Sequence, residues 1–239
     1  MGQYKISVTR FCGLRAASHS LAITACIALI SPQLMAQSSP IDFGAIEYRN
    51  VGPARGGRVT SVAGTRAEPG TFFLGASGGG VWKTTDYGTS WSNVSDGFFT
   101  TPSVGDIAIS MDDPNIVYVG TGSDGLRSNV IPGDGVYKSI DGGESWKKVG
   151  LEQTGHIGAV EIDPRSNNIA WVAAIGNAFK SNSERGVFKT EDGGASWEKV
   201  LYLSDTVGFS DIELLPHNPD VVFATAWKAE RKPWTIISG

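Results

Sequence analysis

Three nine-residue stretches of this chain share one pattern: KTTDYGTSW at 83–91, KSIDGGESW at 138–146 and KTEDGGASW at 189–197. Each reads Ser/Thr-x-Asp-x-Gly-x-Ser-Trp, through Thr84, Asp86, Gly88, Ser90 and Trp91, then Ser139, Asp141, Gly143, Ser145 and Trp146, then Thr190, Asp192, Gly194, Ser196 and Trp197. The aspartates are 55 and 51 residues apart. Self-similarity at a period of this size marks a repeat architecture, in which each unit buries its apolar face against the next.

The rest of each period reads as strands. GRVTSVAG (57–64) precedes TFFLGASG (71–78), VGDIAIS (104–110) precedes NIVYVGTG (115–122), IGAVEID (157–163) precedes NIAWVAAIG (168–176), and FSDIELL (209–215) precedes DVVFATAW (220–227). These runs are β-branched and aromatic, and they are joined by Pro, Asn, Asp and Gly turns. A third strand follows as GVWKT, GVYKS and GVFKT, and a fourth begins at each Ser-Trp pair. Four short antiparallel strands, repeated radially, predict an all-β fold of β-propeller blades. Blades are expected at 57–98, 103–150 and 156–203, with a partial one at 208–239, or about three and a half blades.

In that scheme each Asp motif is the turn between the third and fourth strands. Glycine supplies the positive φ of a tight turn. The Ser/Thr and Asp side chains bond nearby amides, and the Trp lies against the sheet with its N–H seeking a partner. Asp86, Gly88, Trp91, Asp141, Gly143, Trp146, Asp192, Gly194 and Trp197 are therefore expected to be structural. Each motif offers one carboxylate, whereas calcium takes about six to eight oxygens. His19, His156 and His217 show no metal-ligand spacing. No metal and no cofactor is expected.

The first 36 residues read differently. Lys5, Arg10 and Arg15 precede the apolar run LAITACIALI (21–30), with small residues near Ala36, which describes a secretory signal peptide. The run is too short for a membrane span of about 20 residues. Residues 37–56 form a lead-in segment. The leader holds three bases and no acids, so a mature chain carries 17 bases against 24 acids, a net −7. That balance, without a basic stripe, argues against a nucleic-acid partner. Both cysteines, Cys12 and Cys26, lie in the leader, so the mature chain has no thiol chemistry. A secreted or periplasmic protein with no membrane insertion after cleavage is expected.

The Asp motifs resemble Asp-boxes, or BNR repeats, similar to those of sialidases, certain glucanases and the sortilin receptors. With YRNVGPARGGRVTSVAG at 48–64, the chain over 48–239 resembles bacterial exported sortilin-like BNR propeller proteins. The resemblance implies a longer protein, because a propeller closes with about four to eight blades and the fourth repeat stops at KPWTIISG. The remainder of the ring is expected beyond 239. The function implied is a peptide, protein or glycan binding scaffold without catalysis. The alternatives are a sialidase- or glucanase-like glycosyl hydrolase completed beyond 239, and a truncated, non-functional fragment.

Blade topology puts the long connections 123–134, 177–185 and 228–238 on one face, with the starts of the innermost strands. Arg55, Arg58, Arg127, His156, Arg185, Trp227, Arg231 and Trp234 are the candidate ligand-binding residues at a channel mouth. Arginine forks suit carboxylates, and Trp faces suit sugars or peptide side chains. For hydrolysis the inner strands offer Asp106, Asp211 and His156, with Glu161 as a further acid; glycosidic cleavage needs two carboxylates about 5–9.5 Å apart. The arginine triad and Tyr/Glu pair that a sialidase resemblance implies are not found in the sequence. Tyr118, Trp171 and Phe223, and likewise Trp82, Tyr137 and Phe188, repeat at one register and are expected between blades.

Overall fold

The computed structural model describes residues 58–127 and 129–239; the leader, the lead-in segment and Arg55 lie outside the described residues. The described residues are all-β, without a helix. The first sheet joins β1 (Arg58–Gly64), β2 (Phe72–Ser77), β3 (Gly80–Thr84) and β4 (Ser92–Asn93). The second joins β5 (Val104–Ile109), β6 (Val117–Thr121), β7 (Val136–Ser139) and β8 (Lys147–Lys148). The third joins β9 (Ile157–Ile162), β10 (Ala170–Ala174), β11 (Gly186–Thr190) and β12 (Glu198–Leu201). All three are antiparallel in chain order, which is the blade of a β-propeller. A fourth sheet holds only β13 (Gly208–Leu214) and β14 (Val222–Trp227). The connection expected at 228–238 is a separate hairpin, β15 (Ala229–Lys232) with β16 (Thr235–Ser238). Its alternating residues pair through Pro233-Trp234, so it is a strand pair rather than an irregular loop.

Each Asp motif closes a small circuit at the third turn of its sheet. In the second blade Ser139 Oγ donates to Asp141 Oδ1 (2.7 Å) and accepts from the Gly143 N–H (2.8 Å). Asp141 accepts from the Ser145 N–H (2.9 Å) and the Ser145 hydroxyl (2.5 Å). The same four bonds recur around Asp86 and Asp192, at 2.6–2.9 Å. The turn needs two successive left-handed residues: Gly142 and Gly143 have φ of 69° and 90°, and in the first blade Tyr87 takes the first place at 59°.

The circuits are also where blades meet. The Trp146 indole donates to the Val94 carbonyl of the preceding blade (2.8 Å), and Trp197 does the same to Val149 (2.7 Å). In the other direction, Lys83 Nζ donates to the Gly142 carbonyl of the following blade (2.7 Å), and Lys138 to Gly193 (3.2 Å). Phe73 and Tyr118 lie beneath those lysines, Phe73 beside Gly143 and Tyr118 beside Gly193. Apolar cores fill each gap. Phe73, Val81, Ile107, Val119 and Trp146 lie between the first two sheets, and Tyr118, Val136, Val160, Val172 and Phe188 between the next two. A smaller core of Ala159, Ala173, Val187, Phe209 and Ile212 faces the fourth sheet. Phe223 differs from its register partners: Tyr118 is fully buried, Trp171 half-buried, and Phe223 58% exposed. No described sheet packs on its far side.

Truncating Trp146 to Ala should cost about 3–5 kcal/mol, and Trp146→Phe, which loses the indole donor and part of the buried ring, about 2 kcal/mol, both read by urea unfolding. Asp86 and Asp192 are held at about 2, below the ordinary 3.8, mainly by Ser90 and Ser196 respectively. A carboxylate depressed in the fold stabilises it above the unfolded value, and that contribution disappears as pH falls through the folded one. The melting temperature should therefore drop between pH 3.8 and about 2, and Asp192→Asn should show a smaller drop.

Candidate functional site

The innermost strands of the four sheets, β1, β5, β9 and β13, lie side by side. Each carries a bulge near its start, at Thr60, Gly105, Gly158 and Ser210, which have no partner in the strand registers. The bulges press backbone on backbone. A Cβ on Gly105 would stand 1.9 Å from the Ile157 carbonyl oxygen, and one on Gly158 2.4 Å from that of Ser210. Glycine is required at both places.

The residue after the bulge bonds the next blade. Ser61 Oγ accepts from the Ile107 N–H (3.1 Å) and donates to Asp106 Oδ1 (2.6 Å). Asp106 Oδ2 accepts from the Val160 N–H (2.8 Å). One carboxylate thus links three blades. Ala159 holds the equivalent place in the third blade and offers no acceptor, so the Ile212 N–H turns to the side chain of its own neighbour, Asp211 (2.9 Å). Burial, the largest influence, raises the Asp106 carboxyl above the ordinary range against the pull of these hydrogen bonds.

Two residues further along the third and fourth innermost strands stand Glu161 and Glu213. The Glu161 carboxyl makes no hydrogen bond with another described residue. It lines, with Asp106, Val62 and Met111, a cleft of about 360 Å³ between the inner strands. Burial, and then the negative charges of Asp106, Glu213 and Asp211, push its carboxyl up to about 7. A carboxyl so placed exchanges its proton near neutral pH and either donates or accepts a hydrogen bond. The sequence places an acid here, but its register hides behind the bulge, and its proton affinity depends on neighbours from two other blades.

The candidates at the channel mouth separate. Arg185 and His156 are each 1% exposed, so a ligand in solution does not reach them. The Arg185 guanidinium donates to the carbonyls of Ile175 (2.7 Å), Asn177 (2.6 Å) and Ala229 (3.2 Å) and so ties the 175–185 connection to the last hairpin. This corrects the expected ligand-contacting role, because long polar loops folded over it. Neither ring nitrogen of His156 has a partner among the described residues; burial, then Arg185, lowers it to about 4 and keeps it neutral. Arg231 reaches the Arg127 carbonyl (3.3 Å), which brings those two together beside a groove of about 180 Å³ lined by Phe179 and Pro233. Arg58 bonds Ser77 on its own sheet (3.3 Å). Trp227 donates to Ser238 (3.1 Å), and Trp234 stands 80% exposed at the hairpin tip. Among the described residues no three His, Cys, Asp or Glu side chains gather around a common point for a metal.

A raised carboxyl pKa has a sign that can be checked. Between the unfolded 4.5 and the folded value near 7 the folded chain binds the extra proton, so Glu161 lowers stability as pH rises through that window. Glu161→Gln should melt higher than the parent above pH 7 and no differently below 4.5, measured by melting temperature across pH.

The oligoxyloglucan-reducing end-specific xyloglucanase of Emericella nidulans is 29% identical over 137 residues, which are 55% of this chain and 16% of that protein. The crystal structure of an ancestral GH74 enzyme superposes with a TM-score of 0.57 at 19% identity, covering 77% of this chain and 24% of its own. The structure of YCF48 bound to D1 peptide gives 0.48 at 12% identity, covering 77% of this chain and 55% of that one. The chain therefore spans about a sixth of that xyloglucanase and a quarter of the GH74 enzyme. The family model described as sortilin, neurotensin receptor 3 matches residues 79–233, well over half of the chain. Those residues run from just before β3 to the turn of the last hairpin, and this β-propeller chain belongs to the Sortilin-Vps10 family.

Proposed function

We propose that this chain is the exported, ligand-binding part of a propeller, holding a glycan along the cleft between its innermost strands without performing chemistry on it. The observation that carries this reading is the state of Asp106. Its two oxygens are occupied by Ser61 and the Val160 N–H, so Asp106 is held in the framework rather than free to act as a second reacting carboxylate beside Glu161. A carboxylate without an internal hydrogen bond accepts from sugar hydroxyls, and Glu161 is a group of that kind in the cleft. The glycan class draws on the 29% identical relative, a protein named for its action on oligoxyloglucan. A peptide or protein ligand is the other member of the same binding reading.

A hydrolase acting on glycosyl bonds is the second reading. Glu161 favours it, because an acid held near 7 suits protonation of a leaving oxygen. Its carboxylate counterpart would come from outside the described residues.

Xyloglucan oligosaccharides titrated into the protein by calorimetry should bind, and Glu161→Gln should weaken binding about tenfold, the equivalent of about one hydrogen bond. A reducing-sugar assay should detect no cleavage. Cleavage by the parent with a basic limb near pH 7, abolished in Glu161→Gln, would establish the hydrolase instead. Absence of any glycan binding would overturn both.

A further inference from the structure

The three lysines that precede the Asp-boxes stand in different company. Each lies opposite one residue of the fourth strand of its own sheet: Lys83 faces Ser92, Lys138 faces Lys147, and Lys189 faces Glu198. Two residues after the lysine the chain carries Thr85, Ile140 or Glu191, and Glu191 is ion-paired with Lys189. The third blade thus surrounds its lysine with acids and the first with neutral hydroxyls. The second gives it an apolar side chain and another ammonium. Side chains directly opposite in an antiparallel pair share a face, with Cβ atoms about 4.5–5.5 Å apart, and like charges there are destabilising. Among the described residues neither Lys138 nor Lys147 is ion-paired. Lys148 points the other way, to Asp134 and over the Tyr137 ring.

We propose that the groove at this lysine pair is a second glycan site, which takes the carboxylate of a uronic acid residue in an acidic polysaccharide. Lys138 and Lys147 line a groove of about 720 Å³ between the second and third blades, with Ile140, Trp146 and Val149 as apolar surface. Lys147 is exposed, and Ile140 is 69% exposed. The Lys138 ammonium gives one hydrogen bond to the Gly193 carbonyl (3.2 Å) and keeps donors for a ligand. An oxyanion between the two ammonium groups turns their repulsion into charge-assisted hydrogen bonds, while the exposed isoleucine accepts the C–H face of a sugar ring. Asp192, on the third-blade wall, does not compete, because its oxygens already accept from Thr190 and from the N–H and hydroxyl of Ser196. Burial lowers the Lys138 ammonium below its ordinary value, against the pull of Asp192, and a ligand carboxylate would raise it again. Lysines on an edge strand oppose pairing by another polypeptide strand, and β8 is such an edge, which favours a polysaccharide over an acidic peptide. The glycan class rests on the reading proposed above; the place and the charge do not.

Calorimetry on the full chain with an oligogalacturonate reads the charge, and the methyl ester of the same oligosaccharide is the uncharged control. The oligogalacturonate should bind, with the ester at least about tenfold weaker, and added salt should weaken only the acid. Lys147→Glu rebuilds the opposite-charge pair of the third blade. It should weaken the oligogalacturonate at least about tenfold while melting no lower than the parent, which separates loss of the site from loss of the fold. Lys147→Arg should bind as the parent does. The two glycan sites separate by variant: Lys147→Glu should leave neutral xyloglucan oligosaccharides unaffected, and Glu161→Gln should leave the oligogalacturonate unaffected. An ester that binds as tightly as the acid, or a Lys147→Glu chain that binds as the parent does, would overturn the proposal. So would polyglutamate that binds more tightly than the oligogalacturonate, because the groove would then belong to an acidic protein partner. Failure of neutral xyloglucan alone, with the oligogalacturonate still bound through Lys147, would remove the cleft reading and leave this one standing.

Discussion

The Asp-box corner bonds in three directions at once, and the stacking of the sheets depends on it. Its own aspartate and hydroxyls replace the ladder bonds lost where the third strand turns into the fourth. Its tryptophan donates backward to the preceding blade, and its first left-handed residue offers a carbonyl to the lysine of that same blade. A buried indole N–H without an acceptor is costly, so the ring is seated at one depth only, and that depth sets the spacing of neighbouring sheets. The apolar cores between blades fill a gap that these polar contacts have already sized.

Near the axis a second device performs the same task with different residues. Backbone bulges bring adjacent innermost strands too close for a Cβ at Gly105 and Gly158. The freed N–H groups are met by a side chain of the preceding blade where there is one. Ser61 and Asp106 provide it; Ala159 does not, and Asp211 bonds the Ile212 N–H in its own strand. This assigns different roles to acids that look alike in sequence. Asp106 is bound into the framework, whereas Glu161 faces the cleft with its charge opposed by burial and by its neighbours.

The mouth of the array shows how burial reassigns a charged residue. Arg185 reads from the sequence as a candidate for an anionic ligand, since it sits on a long connection between strands. The 175–185 segment folds over it, and its two terminal nitrogens donate to carbonyls of that segment and of Ala229, while its buried Nε has no partner among the described residues. Arg127 and Arg231, which meet at the surface beside the hairpin, remain accessible.

Much of this was readable in the residues alone. The period, the all-β class, the order of strands within a blade and the place of each Asp motif follow from local rules: alternation, turn chemistry and the spacing of a repeated motif. Those rules concern groups within a few residues of one another, and a repeat states them three times. The pairing of 229–232 with 235–238, the exposure of Phe223, the enclosure of Arg185 and the separation of Asp106 from Glu161 were settled only by tertiary structure. Each depends on what a neighbouring blade places opposite, and a one-residue bulge shifts that register without leaving a mark in the hydrophobic pattern.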